Sequence, residues 1–171
     1  MRQPNLIELK AATPQVMQRL GRALGRALAS SQCGPVVIGI EGELGAGKTT
    51  LVASVLASFG VGESVRSPTY TLVEPYEVPG RTIYHLDLYR LTDPRELEAL
   101  AVREMLSDRA VLLIEWPSRA EPALPPRDVD IAIEYEEAGG RVLKARANTA
   151  EGESLVRAVL AAKPEQRALS T

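Results

Sequence analysis

A nearly all-apolar, β-branched run, Val36-Val37-Ile38-Gly39-Ile40, leads into Gly42-Glu43-Leu44-Gly45-Ala46-Gly47-Lys48-Thr49. The run has the composition of a central strand buried on both faces. The residues after it satisfy G-x-x-x-x-G-K-[ST] in full, and Thr50 to Phe59 then reads as a helix ending at Gly60. The residue types carry the chemistry. Glycines let the backbone curl until several N–H groups converge on one anion, and the following helix adds the positive end of its dipole. In such a loop Lys48 reaches the β- and γ-phosphates and the Thr49 hydroxyl can ligate Mg²⁺. A glycine-rich turn with an incidental lysine is the bland alternative. The complete motif, in its strand-and-helix context, outweighs it. The motif specifies a nucleoside triphosphate but not a reaction.

The rest of the chain is organised around this unit. Its 171 residues, 45% hydrophobic and 25% charged, suit one globular domain. That domain is expected over 1–162, with 163–171 as a flexible tail. Gln15 to Ser30 has the apolar stripe of a helix at Val16, Leu20, Leu24 and Leu28, and Pro35 interrupts the chain after it. Tyr70 to Glu77 and Arg81 to Leu86 read as strands around Pro79-Gly80. Asp93-Pro94-Arg95-Glu96 has the form of a helix start. Val111 to Ile114 is a second fully apolar strand, followed by a loop enforced by Pro117, Pro122, Pro125 and Pro126. Asp130 to Glu136 and Arg141 to Ala147 alternate around Gly139-Gly140 as a hairpin. Asn148 with Glu151 would cap a last helix containing Leu155, Val156, Val159 and Leu160. Helices interleaved with buried strands predict an α/β fold: a P-loop NTPase-like three-layer sandwich, its sheet mainly parallel with added antiparallel hairpin strands.

An acid must accompany the phosphate loop, and two stand at predicted strand ends. Glu115 follows Val111 to Ile114, and Asp87 follows Thr82 to Leu86, so each is delivered to the sheet edge where open α/β sheets bind ligands. Either acid has a plainer reading as a solvated loop carboxylate. His85, the one histidine, shares a strand face with Asp87. It either joins a polar cluster near the nucleotide or is a structural histidine, and spacing assigns it no catalytic role. Glu41 and Glu43 flank the first glycine of the loop and are read as exposed or structural, since acids against phosphate repel it. Arg90 pairs with a carboxylate or touches phosphate; spacing does not choose. Ser67-Pro68-Thr69-Tyr70-Thr71 lies where many phosphate-loop proteins place a switch segment, and its hydroxyls could sense the γ-phosphate. A Ser-Pro turn entering a strand is an equal alternative.

Four blocks then stand in order: Gly42 to Thr50 (GELGAGKTT), Ser67 to Val73 (SPTYTLV), His85 to Arg90 (HLDLYR) and Glu115 to Pro117 (EWP). Together they resemble the TsaE family, also called YjeE, from the first helix to the Gly139-Gly140-Arg141 turn. The resemblance implies a compact phosphate-loop ATPase of tRNA threonylcarbamoyladenosine biosynthesis that hydrolyses ATP slowly to ADP. It implies TsaD and TsaB as partners, with the transfer chemistry on TsaD and the ATPase a regulator or resetting factor; tRNA would be reached indirectly, through that complex. Carried over by position, Thr49 and Glu115 would hold Mg²⁺ and Lys48 the phosphates. Asp87 would be the acid needed for hydrolysis. Gly42, Leu44, Gly45, Ala46, Gly47, Lys48, Thr49 and Thr50 would bind the nucleotide, with Ser67 and Thr69 in the switch segment and Trp116 close by. The chain departs from the family in its first helix. The family's Thr, four residues before the Gly of a Leu-Gly pair, is replaced by Gly21 when aligned on Leu24-Gly25, and Leu20-Gly21 gives no better match.

Composition removes several other classes. With 20 Lys+Arg against 22 Asp+Glu, the net charge of −2 excludes a polycation that binds nucleic acid by bulk charge. A local stripe remains possible at Arg19, Arg22 and Arg26, though such stripes are more often solvated faces. No run approaches the roughly 18 apolar residues of a membrane span, and Met1 to Lys10 lacks a signal-peptide core. The single cysteine, Cys33, has no disulfide partner or zinc companions, so a reducing cytoplasm is expected. Two rival readings remain. A small-molecule kinase would need a basic lid, and the Pro-rich loop offers only Arg119 and Arg127. A nucleotide-gated binding module would need binding alone, with hydrolysis incidental.

Overall fold

A computed structural model of the chain describes residues 6–32, 34–62, 65–68 and 70–162. In chain order the elements are β1 (Leu6–Ala11), α1 (Pro14–Ser30), β2 (Val36–Gly42), α2 (Lys48–Ala57), β3 (Val73–Val78), β4 (Arg81–Asp87), α3 (Glu96–Ala99), β5 (Val111–Glu115), a 3₁₀ turn (Pro117–Arg119), β6 (Val129–Tyr135), β7 (Arg141–Ala147) and α4 (Ala150–Ala161). One seven-stranded sheet has the order β1-β7-β6-β2-β5-β4-β3. Its four central strands, β6-β2-β5-β4, are parallel; at the flanks β3 pairs antiparallel with β4, β7 with β6, and β1 with β7. The predicted α/β sandwich is thus observed, with the hairpin strands extending a parallel centre.

The strand alternation divides the core into two layers. Ile38, Ile40, Ile83, Leu113 and Ile131 pack on one face with α1, α2 and α4. Val37, Leu86, Leu112 and Ile114 pack on the other, against Leu91, Leu97, Val102 and Ala120. That second layer is mostly turns. The helix expected from Asp93-Pro94 shrinks to the four residues of α3. The Asp93 N–H does donate to Glu96 Oε1 at 3.0 Å, as a capping pair would. Ala101, at φ 50°, then takes a left-handed turn that stops the helix and sends Val102 back into the core.

Two further features differ from expectation. β1 was not predicted; it is an edge strand with Ile7 and Leu9 against the core and Glu8 exposed, held antiparallel by β7. Its pattern is short, and its pairing partner lies far along the chain. At α4 the cap is Thr149, whose Oγ1 accepts from the Gly152 N–H at 3.1 Å, rather than Asn148. The Asn148 amide is instead drawn to Arg127 O at 3.1 Å and Asp130 Oδ2 at 2.8 Å. At the start of α1, Thr13 is the N-cap and Pro14 follows it.

The seam between α1 and α2 requires small residues. A Cβ on Gly21 would stand 2.5 Å from Ser54 Cβ, and one on Gly25 would stand 2.7 Å from Val55 O. The two helices approach too closely for larger side chains, which fixes α2, and the loop before it, against α1. The predicted tail, 163–171, and Cys33 lie outside the described residues.

Candidate functional site at the phosphate loop

β2 ends at Gly42, and the chain turns through the predicted loop into α2. Gly45 and Gly47 have φ of 78° and 108°, a region that side chains with a Cβ rarely occupy. Lys48 is the first residue of α2 and is only 4% exposed. Its ammonium folds back over the loop, donating to Gly42 O at 2.6 Å and Glu43 O at 2.7 Å. The same nitrogen lies 3.9 Å from the centre of the Trp116 ring. Burial holds the Lys48 pKa below its ordinary value, against the opposing pull of Glu115, Glu41 and Asp87.

The outside of the loop is clamped by the β6–β7 hairpin. Tyr135 Oη donates to Leu44 O at 3.1 Å, and Arg141 Nε donates to Ala46 O at 3.2 Å. The Arg141 guanidinium also lies 3.9 Å from the centre of the Tyr135 ring. With these carbonyls turned outward, the N–H groups of the same trans peptides, on Gly45 and Gly47, point inward. Neither Tyr135 nor Arg141 was anticipated as a site residue. The one signal in the sequence was the position of Arg141, directly after the Gly139-Gly140 turn.

The two strand-end acids arrive together. Asp87 and Glu115 are register partners on adjacent parallel strands, so they share one face of the sheet. Glu115 is 2% exposed. Thr49 Oγ1 donates to its carboxylate, 3.0 Å from Oε1 and 3.1 Å from Oε2. Asp87 Oδ1 accepts from the Tyr89 N–H at 3.0 Å, and its Oδ2 accepts from the Ser67 hydroxyl. The proposed switch segment is thereby joined to Asp87 by a side chain; Thr69 lies outside the described residues. His85 is wholly buried, with Nε2 2.8 Å from Glu115 Oε1, so it is a buried histidine that also belongs to the polar cluster. Among the described residues no group of three or more His, Cys, Asp or Glu forms a ready metal cage. A hydroxyl and a carboxylate in contact are hard oxygen donors, which suit a Mg²⁺ ion that keeps most of its waters and takes the rest of its ligands from phosphate.

Two cavities meet along the loop, sharing Gly45, Gly47 and Thr50. One, of about 280 Å³, gathers Lys48, Thr49, Ser67, Asp87, Glu115 and Trp116, with Leu44 at its mouth. The other, of about 260 Å³, lies between Ala46, the β1–α1 turn with Thr13 and Met17, and Gly140-Arg141. Met17 stands four residues before Gly21, where the family's Thr would fall on aligning Leu20-Gly21, and its Cε reaches toward Gly47. Gly21 itself faces α2 and not the cavity. Trp116 adopts φ 58°, ψ 49°, a left-handed conformation that turns the chain sharply after β5. Its ring packs against Tyr89, centroids 5.0 Å apart, with the Arg119 guanidinium 5.6 Å from the Tyr89 ring. Glu41 accepts from the Ser118 N–H, a structural use, and Arg90 lies over the Tyr70 ring. Arg127 is held by Glu121 and Asp130.

A family profile described as "Threonylcarbamoyl adenosine biosynthesis protein TsaE" matches residues 11–143. The chain belongs to the TsaE family. The matched span holds every candidate site residue, the Tyr135 and Arg141 clamp included, and leaves out α4. The chain is 41% identical over 123 residues to the tRNA threonylcarbamoyladenosine biosynthesis protein TsaE of Haemophilus influenzae, covering 72% of this chain and 77% of that one. It is 32% identical over 131 residues to the protein of the same name from Rickettsia felis, covering 76% of each. The crystal structure of Bacillus subtilis YdiB superposes with a TM-score of 0.73 at 21% identity, covering 94% of this chain and 98% of that one, which supports the shared fold. No helix among the described residues is long and apolar enough to cross a membrane.

Proposed function

We propose that this TsaE-family chain is a Mg²⁺-dependent ATPase of the cytoplasm that serves tRNA threonylcarbamoyladenosine biosynthesis, acting on a TsaD–TsaB complex as a regulator or resetting factor. The observation that carries the reading is the meeting of the Thr49 hydroxyl and the Glu115 carboxylate at 3.0 Å beside Lys48, with Asp87 on the same sheet face. The triphosphate would lie in the cavity that holds these groups, and the nucleoside in the adjoining one beside Met17 and Arg141. Lys48 would exchange the Gly42 and Glu43 carbonyls for phosphate oxygens. Mg²⁺ held by Thr49 and Glu115 would neutralise charge on the transferring phosphoryl group. Asp87 would orient the attacking water and accept its proton, and Ser67 would link the switch segment to that acid.

Slow turnover by the isolated chain would fit the arginines near the loop. Arg90 is engaged with Tyr70 and Arg119 with Tyr89, so among the described residues no arginine is committed to a finger role. Leu44 and Tyr89 line the cavity around Lys48 and remain exposed, a composition that favours a protein partner there. The pairing of Arg127 with Glu121 and Asp130 leaves the Pro-rich loop poorly equipped as a kinase lid.

The test is ATP hydrolysis by the pure chain with Mg²⁺, alone and with TsaD–TsaB, beside Lys48→Ala and Asp87→Asn. Slow basal turnover, raised by the partners and lost in both variants, is expected. Asp87→Asn should still bind ATP. If that variant also supports tRNA modification in full, the nucleotide-gated binding module is the better reading. Phosphate transfer to a nucleoside or nucleotide rather than to water would favour the kinase.

A further inference from the structure

The mechanism above gives no role to the buried side chain of His85. His85 lies in the middle of the sheet edge that carries both acids, at 0% exposure, and its Nε2 is 2.8 Å from Glu115 Oε1. Its other ring nitrogen, Nδ1, is buried and has no hydrogen-bond partner among the described residues. Two bare nitrogen and oxygen lone pairs would repel at 2.8 Å, so the hydrogen bond assigns the ring proton to Nε2. A buried polar ring kept at that cost, in a layer otherwise filled by Ile83, Leu113 and their apolar neighbours, calls for a reason.

The arrangement around Glu115 supplies one. The Thr49 hydroxyl touches both carboxylate oxygens, so by itself it leaves the carboxylate plane poorly determined. His85 bonds Oε1 alone, which selects one orientation. The position of His85 is set in turn by the β4–β5 ladder, where His85 pairs with Leu113 two residues before Asp87 pairs with Glu115. Carboxylate ligands of metal ions are commonly held by such outer hydrogen bonds, and losing one typically weakens metal binding by about 10–100-fold.

We propose that His85 is a positioning residue for the divalent-cation site. It holds Oε1 of Glu115 inward so that Oε2, beside the Thr49 hydroxyl, is presented to Mg²⁺. It touches neither nucleotide nor metal. The inference rests on the reading of Thr49 and Glu115 as metal ligands.

The test compares His85→Gln, whose amide nitrogen can occupy the place of Nε2, with His85→Asn, which is polar but too short to reach Glu115. Binding of ADP to the full chain is measured with and without Mg²⁺, and Mn²⁺ binding to the ADP complex is followed by electron paramagnetic resonance. Both variants should bind ADP without metal as the unmodified chain does. His85→Asn should require about tenfold more Mg²⁺ or Mn²⁺, and His85→Gln should stay close to the unmodified chain. Unchanged metal affinity in His85→Asn, or an equal loss in both variants, would overturn the proposal. Failure of the underlying reading looks different: the unmodified chain itself would then bind ADP equally with and without Mg²⁺.

Discussion

The ammonium of Lys48 rests 3.9 Å from the centre of the Trp116 ring while bonded to the carbonyls of Gly42 and Glu43. A phosphate in the loop would compete for the same three N–H donors and draw the cation away from the indole. Trp116 is the one tryptophan in the chain, so its emission reports this exchange without interference. Titration with ADP should change the intensity or wavelength of that emission, and Lys48→Ala should remove most of the change. A Lys48→Ala protein that binds ADP with the full spectral response would contradict this.

Lys48 also gives the site a pH dependence of defined sign. Burial lowers its pKa from 10.5, so the folded chain loses this proton at a lower pH than the unfolded chain does. Its contribution to stability therefore rises with pH through the window between the lowered value and 10.5. Nucleotide affinity should move the other way, weakening through that window as the cation that meets the phosphates is neutralised. Isothermal titration with ADP from neutral pH into the alkaline range checks it; a profile flat to 10.5 would be inconsistent with a depressed lysine.

The glycines on α1 can be tested by stability alone, since neither lines a site cavity. In Gly21→Ala the new methyl would stand 2.5 Å from Ser54 Cβ and 2.7 Å from Leu51 O. Overpacking of this kind costs about 1–3 kcal/mol, against roughly 1 kcal/mol regained by replacing a helical glycine. A net loss is expected, lowering the melting temperature by about 2–4 °C per kcal/mol. Gly25→Ala should lose less, because one of its obstacles is the Ser58 hydroxyl, which can rotate. Equal or higher melting temperatures in both variants would count against the close helix approach.

Arg141 should matter for nucleotide binding more than for folding. Arg141→Ala removes the donor that turns the Ala46 carbonyl outward and leaves Tyr135 without its cation. ADP affinity should fall roughly tenfold, about 1.4 kcal/mol, with little change in thermal stability. Arg141→Lys should rescue poorly, because a point charge lacks the planar fork that reaches several groups at once. Calorimetric titration beside a melting curve separates the two effects.

Much of this site is legible in the sequence. The phosphate loop is contiguous, and its strand and helix signals flank it directly, so Lys48 and Thr49 could be assigned from local pattern. Glu115 and Asp87 were legible for a similar reason: each closes a strand read from local pattern, and strand ends have a known direction in a parallel sheet. The Tyr135–Arg141 clamp was not, because it meets Leu44 and Ala46 across more than ninety residues of chain. His85 was placed on the correct face, but its partner, on a neighbouring strand, depends on register, which composition does not encode. α3 was over-read from good capping chemistry, since a helix start does not determine where the chain next needs to turn. Asn148 is the cap that the sequence suggests for α4, and Thr149 takes its place because Arg127 and Asp130 draw the Asn148 amide away.

The pairing of Asp87 with Glu115 has a last implication. Adjacent strands of a sheet lie about 4.8 Å apart whatever side chains they carry. The gap between the two Cα atoms that carry these carboxylates is thus measured out by main-chain hydrogen bonds, as by the teeth of a gauge. Substitutions in the surrounding core can loosen or rotate either acid, but resetting the interval itself would require β4 to slip along β5. A slip of one residue would also turn every β4 side chain to the opposite face. The fold therefore permits wide variation in its packing while leaving this one dimension almost no freedom to drift.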